Sequence, residues 1–151
     1  MTVTPEPTIA RDFVLNINTG TVTTPTWTPI SGITNIAPGN DSTKTDDSDF
    51  DSNGRARSTV VERSDTLQVD LNYKEDPSTG ARDPGQQALL DASKLIGTAA
   101  KKQFQYLTPG GTQYAFTASI DMNLPGGGKT DLATTSLTLT IDGDITETPA
   151  P

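Results

Sequence analysis

Apolar and polar residues alternate along most of this sequence. Phe13, Leu15 and Ile17 alternate with Asp12, Val14, Asn16 and Asn18 over residues 11–18. Leu67, Val69, Leu71 and Tyr73 alternate with Thr66, Gln68, Asp70 and Asn72 over 64–73. The same pattern places Phe104 and Tyr106 on one side of 102–108, and Tyr114, Phe116, Ala118, Ile120 and Met122 on one side of 113–122. Over 136–142 it sets Leu137, Leu139 and Ile141 against Ser136, Thr138, Thr140 and Asp142. Successive side chains of a strand point to opposite faces, so a period of two predicts strands with one buried face. Residues 27–36, interrupted by Ser31-Gly32, predict two short strands about a turn, with Pro29 confining the first to an edge or a bulge. Pro109-Gly110-Gly111 and Pro125 to Gly128 read as turns, and 76–82 as a turn-rich linker.

Only one segment has helical spacing. Asp83 can accept the free amides of a first turn and Pro84 suits the first helical position. Leu89, Ala92, Ile96 and Ala99 then share a face, supported by Ala88 and Leu95, with Gly97 as a stop. The expected helix spans 83–97. The stretch 37–57 is polar and almost free of apolar residues, and reads as a long loop of the kind that carries function or orders on binding. Residues 1–10, rich in Thr and Pro, read as a flexible arm and 147–151 as a polar tail, leaving one domain over 11–146. The expected fold is mainly β: an antiparallel β-sandwich or barrel with one packed α-helix.

Composition narrows the chemistry. Hydrophobic residues make up 32% of the 151 and aromatics 5%, which predicts a thin core that partners could reinforce. With no Cys and no His, thiol nucleophiles, Ser-His-Asp triads and the usual zinc sites are excluded, and a metal would need oxygen ligands. The net charge of −8 disfavours gripping a phosphate backbone, because that affinity comes from Lys and Arg. It does not disfavour letting nucleic acid pass a weakly repelling wall. No apolar run approaches the roughly 20 residues that span a bilayer, and the first residues lack the basic and apolar regions of a secretory signal.

Three motifs come close to known chemistry and depart from it. Lys129-Thr130 after Gly126-Gly127-Gly128 has Asn123 where a phosphate-binding loop needs Gly, and a Thr-rich strand where it needs a helix. Asp49, Asp51, Asn53 and Gly54 fit the first half of an EF-hand loop, but Val60 stands where the bidentate Glu belongs and no helix flanks the loop. Calcium on Asp49, Asp51 and Asn53 is therefore the lesser reading beside a solvated acidic loop. The many carboxylates could in principle supply a glycosidase pair, yet nothing singles one out and few aromatics are present to stack sugars. The single tryptophan, Trp27, reads as a half-buried core or interface residue. No catalytic residue and no cofactor are expected.

These features leave two readings equally open, a subunit that assembles and a monomer with a floppy loop. Residues 136–141 form a regular strand with no Pro and no inward Lys, an unguarded edge of the kind that recruits another chain. The arm and the 37–57 loop would then be contacts between neighbours.

Four segments carry a family resemblance: WTPISGITNI from Trp27, TDDSDFDSNG from Thr45, LNYKEDPSTGARDPGQQALLDA from Leu71, and PGGGKTDLATTSLTLTIDGDIT from Pro125. In this order they resemble the major tail (tail tube) protein of siphophages, especially phages of actinobacteria. The resemblance implies a β-sandwich with one helix, related to the inner tube proteins of contractile tails and type VI secretion. It implies homohexameric rings stacked into a tube in the virion tail, assembled in the host cytoplasm. A tape measure protein fills the lumen, DNA later passes without specific binding, and the tail terminator and distal tail proteins are further partners. Carried onto this sequence, the resemblance assigns Asp46, Asp47, Asp49, Phe50, Asp51 and Asn53 to a loop between subunits or rings, with Phe50 as its apolar anchor. It places Gln68, Asp70, Thr138 and Thr140 on the lumen wall. The rival expectations are the inner tube of a contractile injection system, a monomeric calcium-binding β-domain, and a terminator protein that forms one ring.

Overall fold

The computed structural model describes residues 4–151, so the first three residues of the expected arm lie outside the described residues. Seven strands follow one another: β1 (Val14–Asn18), β2 (Trp27–Pro29), β3 (Ile33–Asp46), β4 (Ser58–Asn72), β5 (Lys101–Leu107), β6 (Gln113–Met122) and β7 (Thr134–Thr148). One α-helix, α1 (Pro84–Ser93), lies between β4 and β5. The strands form a single sheet in the order β2-β1-β5-β6-β7-β4-β3, every pairing antiparallel. The expected mainly β architecture with one packed helix is therefore the observed one.

Register makes the alternation collective. Ile120 of β6 faces Leu139 of β7, and Leu139 faces Leu67 of β4; Leu137 likewise joins Met122 to Val69 and, through Val69, Ile36 of β3. On the other half, Ile17 faces Phe104 and Phe104 faces Phe116, whose rings stack with centroids 5.6 Å apart. These side chains meet in one core with Leu15, Leu71, Leu89 and Ala92. The sheet curls enough for Ile33 and Ile36 of edge strand β3 to line a groove with Phe13 and Tyr106 from the opposite half. Cross-strand amide pairs order the outer face of β1: Asn16 donates to Gln105 Oε1 at 3.2 Å and Asn18 to Gln103 Oε1 at 2.9 Å. Trp27 sits half-buried beside this face, as its sequence context suggested.

The helix lies against β6, β1 and β2. Asp83 caps it, accepting from the Gln86 amide at 3.4 Å, and Pro84 occupies its first turn. Gly85 permits the close approach, since a Cβ there would stand 2.4 Å from the Pro29 carbonyl oxygen. Gln86, fully buried, is the clasp. Its Nε2 donates to the carbonyls of Ser31 and Asn72, both at 2.9 Å, and its Oε1 accepts from the Lys74 amide at 3.1 Å. One side chain thus joins the helix to the β2–β3 turn and to the end of β4.

Four expectations need correction. The stretch 37–57 is not a long loop: β3 runs to Asp46 and β4 begins at Ser58, so only 47–57 turn at the tip of a long hairpin. Beyond Thr66, β4 pairs with β3 alone, and both faces of this ribbon are exposed, which removes the apolar alternation that marks a strand. The helix ends at Ser93, not at 97. Leu95, Ile96 and Ala99 are exposed, and Gly97, at φ 75°, opens a short 3-10 turn instead of closing α1. Residues 136–141 are no edge; β7 lies between β6 and β4, and the sheet's edges are β2 and β3. The polar tail also begins later, because β7 continues to Thr148 beside Gln113.

Replacing Gln86 by Leu keeps the volume and leaves the Ser31 and Asn72 carbonyls and the Lys74 amide without this partner. The expected loss is about 3 kcal/mol, each such group being worth roughly 1–3. Thermal denaturation followed by circular dichroism should show a fall of roughly 6–12 °C in Tm for a domain of this size.

Candidate functional site: the hairpin tip and the outer sheet face

Two surfaces hold the residues that the sequence singled out. The first is the hairpin tip. Asp47 closes the ribbon, its amide donating to the Arg57 carbonyl at 3.2 Å and its Oδ2 accepting from Thr59 Oγ1 at 2.6 Å. Asp49 and Ser52 form a reciprocal box around a short 3-10 turn, Phe50–Ser52, with the Asp49 amide donating to Ser52 Oγ at 3.1 Å. Asn53 takes the left-handed conformation, φ 51°, which Asn tolerates better than most residues, and Gly54 follows at φ 75°. The result is a stiffened tip with Phe50 at its apex, fully exposed.

The carboxylates of Asp46, Asp47 and Asp49 are employed locally. Asp46 accepts from the Ser48 amide at 2.8 Å, and hydrogen bonding from Ser48, through hydroxyl and amide, holds its carboxyl below the ordinary aspartate range. Asp49 is held by Ser52 Oγ, which donates to Asp49 Oδ1 at 3.1 Å. Among the described residues, no three carboxylates gather as cation ligands.

The second surface is the outer face of β3, β4, β7 and β6. Gln68 and Thr138 are direct cross-strand partners, Asp70 faces Ser136, and Thr140 faces Thr66, so the four residues proposed for a lumen wall share one face. The sequence did not identify their neighbours there. Ala37 and Asn35 extend the face onto β3, with Asn35 Nδ2 donating to Asp70 Oδ2 at 3.5 Å, and Asp121 and Ser119 extend it onto β6. Lys101, opposite Ser119, also points outward and is tied to Asp142 at 2.9 Å. Strand register supplies these additions, and a single strand's alternation carries no information about it. Apart from Ala37 these residues are polar, rich in hydroxyl and amide groups, and Lys101 among them is paired.

Neither a protein-family model nor a curated protein sequence matches the chain. Solved structures do. A chain of the SPP1 tail tube superposes with TM-score 0.72 at 15% identity, covering 93% of this chain and 78% of that one. A chain of the virion of the native gene transfer agent particle gives 0.71 at 13% identity, with 95% and 100% covered. A chain of the tail of the empty gene transfer agent particle, which has C6 symmetry, gives 0.68 at 17% over the same shares. A chain of the anti-feeding prophage baseplate is more distant, at 0.55 and 12%. The chain shares the fold of these chains over nearly its whole length.

Because the folded pKa of Asp46 is depressed, its contribution to tip order is present above the unfolded value and lost as pH falls through the folded one. The Ser48 amide resonance should therefore titrate with a midpoint below that of free aspartate. The tip should fray in acid while amides of β6 and β7 stay protected. In Ser48→Ala the midpoint should move up toward the ordinary aspartate range.

Proposed function

We propose that this protein is the structural subunit of a tail tube: homohexameric rings that stack around a channel, with no catalytic step and no cofactor. The observation that carries the reading is the fold shared with chains of a tail tube, of a tail with C6 symmetry and of a virion over 93–95% of the length. The outer face fits the role. A wall of Thr, Ser, Asn and Gln that carries Asp70 and Asp121, and whose Lys101 is already paired with Asp142, offers DNA no free cation to hold, so a strand can slide past. Gln68, Asp70, Thr138 and Thr140 are the wall residues in this reading. The tip residues Asp46, Asp47, Asp49, Phe50, Asp51 and Asn53 are the contact to an adjacent subunit or ring. A tape measure protein would occupy the channel before DNA, and terminator and distal tail proteins would close its ends.

Negative-stain microscopy of the purified protein at low and high concentration tests assembly; rings or hollow tubes are the expected result, and small particles at every concentration would refute it. The wall assignment has its own test. In assembled tubes Asp70→Lys should create a ring of cations that retains DNA. Co-sedimentation of labelled DNA should rise at 50 mM salt and vanish by about 200 mM, since binding through several phosphates weakens by orders of magnitude over that range. Tubes of Asp70→Lys that leave DNA in the supernatant at low salt would remove Asp70 from the wall.

A further inference from the structure

The hairpin stem and the body of the sheet separate at one place on β7. β4 pairs with β7 from Thr66–Thr140 to Asn72–Thr134, whereas β7 past Ile141 continues only with β6, across a register shift. Gly143 lies in that shift at φ 83°, a conformation glycine adopts without strain, and the bulge turns β7 away from the departing stem. The split opens a groove of about 500 Å³. Leu67, Phe116, Tyr106, Tyr114, Ile141 and Ile145 line it, and Leu67 and Phe116 belong to the core, so the groove reaches the hydrophobic interior. Phe13 packs on Tyr106 at its wall, with ring centroids 5.3 Å apart. Two cations flank it. Arg63 donates at 3.3 Å to Oδ1 of Asn40, a lining residue, and Arg11, with Asp12 at 3.9 Å, lines the adjoining groove with Phe13 and Tyr106. The rim carboxylate, Asp65, accepts from Asn40.

The same chain carries an aromatic side chain with nothing to cover it. Phe50 stands fully exposed between Asp49 and Asp51. It cannot enter the groove of its own chain, because the stem that carries it is one wall of that groove. From Leu67 to Ser58 the stem extends roughly 30 Å at ~3.3 Å per residue. Knob and hole can meet only between copies. Such a contact joins two different patches: repeated head to tail it builds rings or filaments, whereas a reciprocal exchange would close a dimer and give a single cross-linked band.

We propose that Phe50 of one copy seats in the groove between β4 and β7 of the next, with Asp49 and Asp51 facing Arg63 and Arg11 at its rim. The proposal rests on the assembly reading above and names the receptor for its tip.

The chain has no cysteine, so pairs can be introduced cleanly. Oxidation of the Phe50→Cys/Ile145→Cys double variant should give a ladder of multimers on a non-reducing gel, abolished by reductant. Phe50→Cys paired with Val22→Cys, exposed elsewhere, should give none. Phe50→Ala should raise the concentration needed for assembly at least about tenfold, as the loss of a central aromatic anchor does, and Phe50→Leu should lie between it and the wild type. Rings or tubes of the double variant without the ladder, or of Phe50→Ala with unchanged concentration dependence, would overturn the proposal and leave the assembly reading intact. A wild-type protein that stays monomeric at every concentration would overturn both. Cross-linking of Ile145→Cys to Ile9→Cys within one chain would assign the groove to the protein's own arm and overturn it as well.

Discussion

The inward alignment of alternate residues across β6, β7, β4 and β3 is the constraint on which the rest of the structure depends. Leu137 and Leu139 sit at its centre, each facing an apolar residue on both sides. A slip of one residue in either pairing would turn those leucines to solvent and bring Thr138 and Gln68 into the core, so register is strongly specified here. That single choice also composes the outer face. Thr, Ser, Gln and Asp gather there because every residue that is not inward is outward.

A chain with so few apolar residues makes its polar groups serve the fold. Gln86 is the clearest case, since it bonds three backbone groups from two segments and is itself buried. Asn18 plays a similar part at the other edge, its Oδ1 accepting from Gly20 and Thr26 while its Nδ2 donates to Gln103. Among the described residues, no buried side-chain nitrogen or oxygen lacks a partner. A small core is sufficient when the groups around it leave no desolvated dipole unpaired.

The ribbon of β3 and β4 beyond Thr66 has the opposite economy. It buries nothing, its register shifts between Thr43 and Lys44, and its apex is a bare aromatic. A two-stranded ribbon exposed on both faces is marginal by itself. In the proposed assembly its length and its stiffened tip serve as surface for another copy. The groove at its root is the converse, a place where the core lies open because β7 bends away at Gly143. In the proposed assembly these two exposed features cover each other.

The sequence by itself determined what depends on near neighbours along the chain. Alternation marked β1, β4, β5, β6 and β7 and their inward faces, because side-chain direction in a strand is a local property. Asp83-Pro84 marked the start of α1 for the same reason, as capping acts within one turn. Only the tertiary structure decided the rest. The hairpin of Ile33–Asp46 with Ser58–Asn72 was hidden because its outer half has no buried face to leave a pattern. The early end of α1 was hidden because Ile96 and Ala99 continue the helical spacing without meeting the sheet. The place of β7 in the centre depends on which strands it pairs with, and that is settled by packing between residues some 70 apart in sequence, such as Leu67 and Leu139. The same holds for the surfaces proposed for assembly. Phe50 and Gln68 were visible one at a time, but the continuous polar face and the groove beside β7 exist only where distant strands converge and part.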